Sequence, residues 1–195
     1  MAANDPHPRF DQLPPRAEGL ITPGALRERL EEEISRAERH GTQLSCLLVV
    51  VENLQEMTSE HGSELREQTL DYVAEALRRQ LRRFDRVGRD RPGGHGASVA
   101  EPDVLRSDHD LLVILPGADG VRAEIVARRA LERLRTIKIE ARGTRWPLHI
   151  SVGLAAWRAD ISAESLLEQA REAVRPANGE SPPAALESAI SPERE

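Results

Sequence analysis

The sequence predicts an α/β sandwich of the ferredoxin-like kind, with a central, mostly antiparallel sheet flanked by helices. Short apolar stretches alternate with amphipathic ones, and one hairpin falls in each half of the chain. Prolines cluster at both ends of the 195 residues, so one domain with extensions is expected. We place the domain at residues 19–175, between disordered tails at 1–18 and 176–195.

Apolar spacing defines the predicted elements in order. Pro23 begins a first helix that Gly41 ends, and residues 43–52 are apolar enough for a strand buried on both faces. A second helix, with Leu65 on its apolar stripe, should continue to about Arg83. The remaining elements are a strand at 84–89, an inserted loop at 90–106, a strand at 110–115, a helix at 120–136, strands at 137–141 and 147–157, and a helix at 165–174.

The composition of the chain disfavours several classes of function. The 27 basic and 33 acidic residues give a formal charge of −6, which disfavours a protein that binds nucleic acid or an anionic membrane. No run approaches the roughly 18 apolar residues of a membrane span. Cys46 is the one cysteine, which excludes an intramolecular disulfide and suits a reducing compartment. We therefore expect a cytoplasmic protein that contacts neither nucleic acid nor membrane.

Four stretches, in order and spacing, resemble the GGDEF domain, the fold of bacterial diguanylate cyclases. They are residues 19–30, 44–70, 111–117 and 150–156. The resemblance implies the sheet of the GGDEF and nucleotidyl cyclase type. It also implies the family's reaction, in which a face-to-face dimer condenses two GTP molecules into cyclic di-GMP with the help of metal ions held by oxygen ligands.

The family's catalytic positions carry other residues here. Its two metal-holding Asp positions fall on Val50 and Glu52, and valine has no ligand atom. The signature Gly-Gly-Asp-Glu-Phe falls on Ser107, Asp108, His109, Asp110 and Leu111. Both glycines are therefore lost, and Asp108 adds a charge that repels a triphosphate. Glu52 and Asp110 are the carboxylates left as substitutes.

Guanine recognition departs from the family as well. The guanine-reading Asn and Asp positions fall on Thr58 and Glu67, and one hydroxyl cannot replace the paired donor and acceptor of an amide. The phosphate-clamping Lys falls on Asn178. Because metal, phosphate and base contacts are weakened together, we expect a degenerate domain that is not an enzyme, has no catalytic residue and needs no cofactor, with Mg²⁺ relevant only to residual activity.

One family motif is kept. In many members an Arg-x-x-Asp motif five residues before the signature binds cyclic di-GMP, and Arg82 and Asp85 have this internal spacing. Arginine offers a two-pronged donor to phosphate or guanine, and a carboxylate accepts from guanine N–H groups. Arginines at the end of a helix also complement its dipole, so a structural role stays open. The 21 residues between Asp85 and Ser107 amount to an insertion of 16.

Three interpretations follow. The first is an inactive signalling module that acts by binding, either as a cyclic di-GMP receptor through Arg82 and Asp85 or as the regulatory partner of another signalling protein. The second is a residual diguanylate cyclase or GTP-binding enzyme that uses Glu52 and Asp110. The third is a purely structural interaction domain that recruits through its tails or its glycine-rich loop. A signalling protein partner is expected, and a homodimer stays open.

Overall fold

The computed structural model describes residues 23–90, 110–141 and 143–174. The predicted tails and almost all of the predicted 90–106 loop lie outside these residues. The elements, in chain order, are α1 (Pro23–His40), β1 (Leu44–Val51), α2 (Leu54–His61), α3 (Ser63–Arg78), β2 (Arg86–Asp90), β3 (Asp110–Pro116), α4 (Gly120–Arg135), β4 (Lys138–Ala141), β5 (Thr144–Pro147), β6 (Ile150–Ala156) and α5 (Ala163–Glu172).

A four-stranded sheet in the order β2-β3-β1-β6 forms the centre of the domain. Each neighbouring pair in it is antiparallel. Strands β4 and β5 form a separate two-stranded sheet. The predicted α/β fold with an antiparallel sheet flanked by helices is therefore confirmed.

Both faces of the sheet are buried, as the apolar sequence of β1 predicts. Leu47 and Val49 face a core built with α2, α3 and α4, whereas Cys46 and Leu48 face a second core built with α1 and α5. This alternation follows from the two-residue repeat of a strand. Among the described helices, none combines the length and apolarity needed to cross a bilayer.

Helix α5 lies unusually close to the sheet at Gly153. A β-carbon built on Gly153 would come within 1.9 Å of the Ala170 carbonyl oxygen. Only a residue without a side chain leaves room for such an approach. Gly153 therefore fixes how closely α5 covers β6.

The predicted end of the second helix was wrong, and the helix before it was not predicted. The second helix ends at Arg78 and not near Arg83, because single turns follow it, in which Gln80 N donates to Leu77 O and Leu81 N to Arg78 O. The preceding helix α2 is separated from α3 by Gly62, which adopts a φ of 87°. Such a left-handed conformation breaks a helix and favours glycine.

The strand predicted at 147–157 is divided. Strand β5 ends at Pro147 and pairs with β4, while β6 begins at Ile150 and joins the main sheet. The side chain of Asn53 holds the crossing, because its Nδ2 donates to Pro147 O at 2.8 Å and its Oδ1 accepts from His149 N at 3.0 Å. A side chain from the end of β1 therefore determines where the chain changes sheets.

Candidate functional site

One candidate site lies where β1 ends between its two neighbours. Val50 is paired with Asp110 of β3 on one side and with Ser151 of β6 on the other. Residues directly opposite one another in an antiparallel pair point to the same face of the sheet. We call the group formed by Val50, Glu52, Asp110 and Ser151 the Asp110 end of the sheet.

The polar groups at the Asp110 end have internal contacts. Ser151 is buried, and its hydroxyl donates a short hydrogen bond to Oε1 of Glu52. Asp110 is 8% exposed, whereas Leu111, at the last signature position, is buried in the core that faces α3. Asp110 begins β3, and Glu52 follows the last residue of β1, so the two carboxylate residues that the sequence offered as substitutes lie at the same end of the sheet.

The metal ion of the family does not fit the described part of this site. Val50 contributes only hydrocarbon at the position directly opposite Asp110. Within residues 23–90, 110–141 and 143–174, no three His, Cys, Asp or Glu side chains converge on a point that could hold a cation. The signature positions Ser107, Asp108 and His109 lie outside the described residues, as does Asn178. Valine in place of a carboxylate at position 50 therefore leaves the described residues short of a cation site.

Both predicted guanine-reading positions are engaged within the protein. The Thr58 hydroxyl donates to the carbonyl oxygen of Leu54, one turn earlier in α2, at 2.7 Å. The Glu67 carboxylate accepts from the Arg89 guanidinium of β2. The Thr58 hydroxyl therefore uses its one proton within α2, and one oxygen of Glu67 is engaged by Arg89, so both positions are partly occupied by contacts within the protein.

Arg89 links β2 to α3 and has no role in the sequence prediction. Besides Glu67, its guanidinium donates to Oδ1 of Asp71 at 2.8 Å, and the Asp71 side chain is 5% exposed. Burial by itself lowers the pKa of Arg89, but the hydrogen bonds and charges of Glu67 and Asp71 outweigh it and raise that pKa. One signal was available: acidic residues at positions 67 and 71 lie four apart on one helix face.

The second candidate site is the turn between α3 and β2, which we call the Arg82 turn (residues 82–86). Asp85 closes it, because its Oδ2 accepts from the backbone N–H of Arg82 at 2.7 Å and its own N–H donates to Arg82 O at 3.1 Å. Arg86 adds hydrogen bonds from its guanidinium to the carbonyl oxygens of Arg83, at 2.9 Å, and Asp85, at 3.1 Å. The turn therefore has a well-defined backbone.

Charge and exposure distinguish the Arg82 turn. Arg82, Arg83 and Phe84 are exposed, and Phe84 is 72% exposed. Burial raises the pKa of Asp85, against the lowering effects of the hydrogen bond from Arg82 and the charges of Arg82 and Arg86. Arg82 and Asp85 thus contact one another, and both hydrogen bonds between them involve the backbone of Arg82.

Sequence comparison finds similarity to diguanylate cyclases. The family model described as diguanylate cyclase, GGDEF domain, matches residues 19–94. The diguanylate cyclase DgcP of Pseudomonas aeruginosa is 27% identical over 160 residues, which are 80% of this chain and 21% of the relative. The chain therefore spans about a fifth of that relative, and the family match ends before the signature positions at 107–111.

Solved structures agree with the fold. The diguanylate cyclase SiaD of Pseudomonas aeruginosa, in complex with its activator SiaC, superposes with a TM-score of 0.66 at 24% identity, over 78% of this chain and 53% of SiaD. The GGDEF domain of DgcB from Caulobacter crescentus, in complex with c-di-GMP, gives a TM-score of 0.65 at 16% identity, over 79% and 82% of the two chains. At these identities the likeness shows the fold alone.

These comparisons confirm the predicted family and correct one prediction. The expectation that the domain is not an enzyme is wrong, because the matching family and the DgcP relative are both named for diguanylate cyclase activity. Residues 19–94 therefore match the GGDEF family by sequence, and the chain shares the GGDEF fold over about four fifths of its length.

Proposed function

We propose that this GGDEF domain binds cyclic di-GMP at the Arg82 turn and acts in signalling through that binding. The observation that carries the proposal is the turn itself. Its backbone is held closed by Asp85, while the Arg82 and Arg83 side chains remain exposed. A closed turn fixes the backbone from which these side chains project, so less backbone entropy is lost on binding.

The chemistry of the turn matches the ligand. Cyclic di-GMP carries two phosphates and two guanines, and arginine donates in a planar fork to a phosphate or to O6 and N7 of guanine. A carboxylate has about four lone-pair positions, so Asp85 can accept from guanine N–H groups while it still accepts from Arg82 N. The complex of the DgcB GGDEF domain with c-di-GMP supports the same ligand class for this fold.

Calorimetry with cyclic di-GMP tests this proposal. We expect wild-type protein to bind at micromolar ligand and Arg82→Ala to bind at least roughly tenfold more weakly, since a hydrogen bond to a charged group contributes about 1.5–3 kcal/mol. Arg79→Ala is the matched control, because Arg79 is an exposed arginine near the same helix end that pairs with Glu75. No heat from the wild type at tens of micromolar ligand would contradict the proposal.

A second candidate function is the conversion of GTP to cyclic di-GMP. The DgcP relative favours it. So does the buried Asp110, which aligns with a signature position and begins β3, the strand paired with β1, while Glu52 follows the end of β1. Incubation with GTP and Mg²⁺ or Mn²⁺, followed by chromatography, tests it. Product that Arg82→Ala still forms and Asp110→Ala does not would support synthesis at the Asp110 end.

Regulation by a protein partner belongs to the same proposal. The solved structure of SiaD is a complex with its activator SiaC, which supports a protein partner for this chain as well. If neither binding nor turnover is observed, the purely structural interaction domain is the interpretation that stands. A homodimer is tested by sedimentation in the presence and absence of cyclic di-GMP.

A further inference from the structure

Phe84 is the exposed exception among the aromatic residues that the structure describes. Tyr72 and Trp146 pack against one core, and Trp157 packs against the other. Phe84, in contrast, leaves 72% of its surface in solvent. Single exposed apolar side chains are common on protein surfaces, so the exposed ring gains its significance from its place among the arginines of the Arg82 turn.

Hydrogen bonds of the turn fix the backbone on both sides of Phe84. Phe84 lies between Arg83 and Asp85, inside the segment that the bonds between Arg82 and Asp85 close at both ends. The Arg86 guanidinium further ties the carbonyl oxygens on both sides of Phe84. The turn also leads into β2, which lies at the edge of the sheet formed by the described strands.

We propose that Phe84 is a stacking platform for one guanine of bound cyclic di-GMP. The inference rests on the proposed function and adds a residue that the Arg-x-x-Asp motif leaves unspecified. An aromatic ring among exposed arginines suits a ligand that is both planar and anionic: the base stacks on the ring, and the phosphates meet Arg82 and Arg83. A ligand that is anionic but not planar would contact the arginines and would not stack on Phe84.

Substitutions at one position separate stacking from other contacts. By calorimetry with cyclic di-GMP, we expect Phe84→Ala to weaken binding roughly tenfold, Phe84→Tyr to bind like the wild type, and Phe84→Leu to bind as weakly as the alanine variant. Leucine keeps the apolar volume but has no π-face. The matched control is Ile125→Ala, which removes an apolar side chain that is 51% exposed on α4 and should leave binding unchanged.

A spectroscopic measurement reports the stack directly. A base proton above an aromatic ring is shifted upfield by the ring, so the guanine H8 resonance should move upfield on binding to the wild type and to Phe84→Tyr. With Phe84→Leu that displacement should be absent. Thermal melting should give the same Tm for all the Phe84 variants, because the ring contributes little to either core.

The outcomes separate this inference from the proposed function. If the wild type binds, Arg82→Ala does not, and the Ala and Leu variants of Phe84 bind like the wild type, stacking is overturned while ligand binding at the turn stands. A Leu variant that binds as well as the wild type, beside a weakened Ala variant, also overturns stacking in favour of a simple apolar contact. No binding by the wild type overturns both proposals.

Discussion

The paired strands β2 and β3 connect the Arg82 turn with the Asp110 end, the two candidate sites. Arg86, where β2 begins, is paired with Ile114, and Asp90, where β2 ends, is paired with Asp110. At about 3.3 Å per residue, the Arg82 turn and the Asp110 end are separated by only ~13 Å of strand. One strand therefore connects both candidate sites, and their differences do not arise from different scaffolds.

The two regions use their polar groups differently. Around the Asp110 end, groups that the family resemblance assigns to a ligand are bound by the protein itself: Glu52 by Ser151, Glu67 by Arg89, and Thr58 by its own helix. At the Arg82 turn, Asp85 makes the internal bonds, while Arg82 and Phe84 are exposed. Polar groups that are already satisfied gain less from a ligand, so the comparison favours the turn as the binding region.

The largest effect is expected at Arg89. This residue of β2 donates to the carboxylate of Glu67, one of the two predicted guanine-reading positions. We expect Arg89→Ala to lower the free energy of unfolding by about 2 kcal/mol, because it leaves the nearly buried Asp71 without its charged donor. The value is toward the low end for a broken buried pair, since Arg89 and Glu67 are partly exposed. Urea unfolding measures the change.

Arg78→Ala provides the comparison for Arg89. Arg78 pairs with Glu75 within α3, where both side chains are substantially exposed, so its loss should cost no more than about 0.5 kcal/mol. Equal losses for the two variants would show that Arg89 is an ordinary surface residue and that Glu67 is not held by it.

The strands of this fold could be predicted from the sequence because their signal is local. Unbroken apolar runs at β1 and β3 indicate burial on both faces, which the structure shows. The interactions that the sequence did not reveal join distant residues. Arg89 reaches Glu67 across 22 positions, and Asn53 reaches the β5–β6 crossing across more than 90. Periodicity carries no information about such side-chain bonds.

A smaller effect should follow from giving Val50 a carboxylate. In Val50→Asp the new charge stands directly opposite Asp110, so we expect it to be about 1 kcal/mol less stable than Val50→Asn, which has the same shape without the charge. Together with Glu52, the two facing carboxylates would supply oxygen ligands for Mg²⁺ or Mn²⁺. The Tm of Val50→Asp should therefore rise with added divalent cation.

The wild type and Val50→Asn are the controls for the cation effect. Neither should gain comparable stability from the same concentration of Mg²⁺ or Mn²⁺, since the described residues include no set of three ligands. An equal rise in Tm for all three proteins would mean that the cation acts elsewhere, and the Asp110 end would then not be limited by Val50.

The smallest effect concerns the charge of Asp85 at the Arg82 turn. Burial raises the pKa of this carboxyl above its ordinary value of 3.8, so the folded protein holds the proton more tightly than the unfolded chain. The stability due to the protonated group is therefore complete below pH 3.8 and is lost as pH rises through the folded-state pKa.

Asp85→Asn keeps an oxygen that can accept from Arg82 N but cannot titrate, so wild-type Tm should fall relative to the variant, by about 2 °C or less, over that pH range. A difference that stays constant with pH would show that folding leaves the pKa of Asp85 unchanged, and one that changes in the opposite direction would show that the Arg82 turn favours the charged carboxylate even without a ligand. Asp85 would then be held by its arginines more strongly than it is penalised by burial, and a bound guanine would have to compete with them.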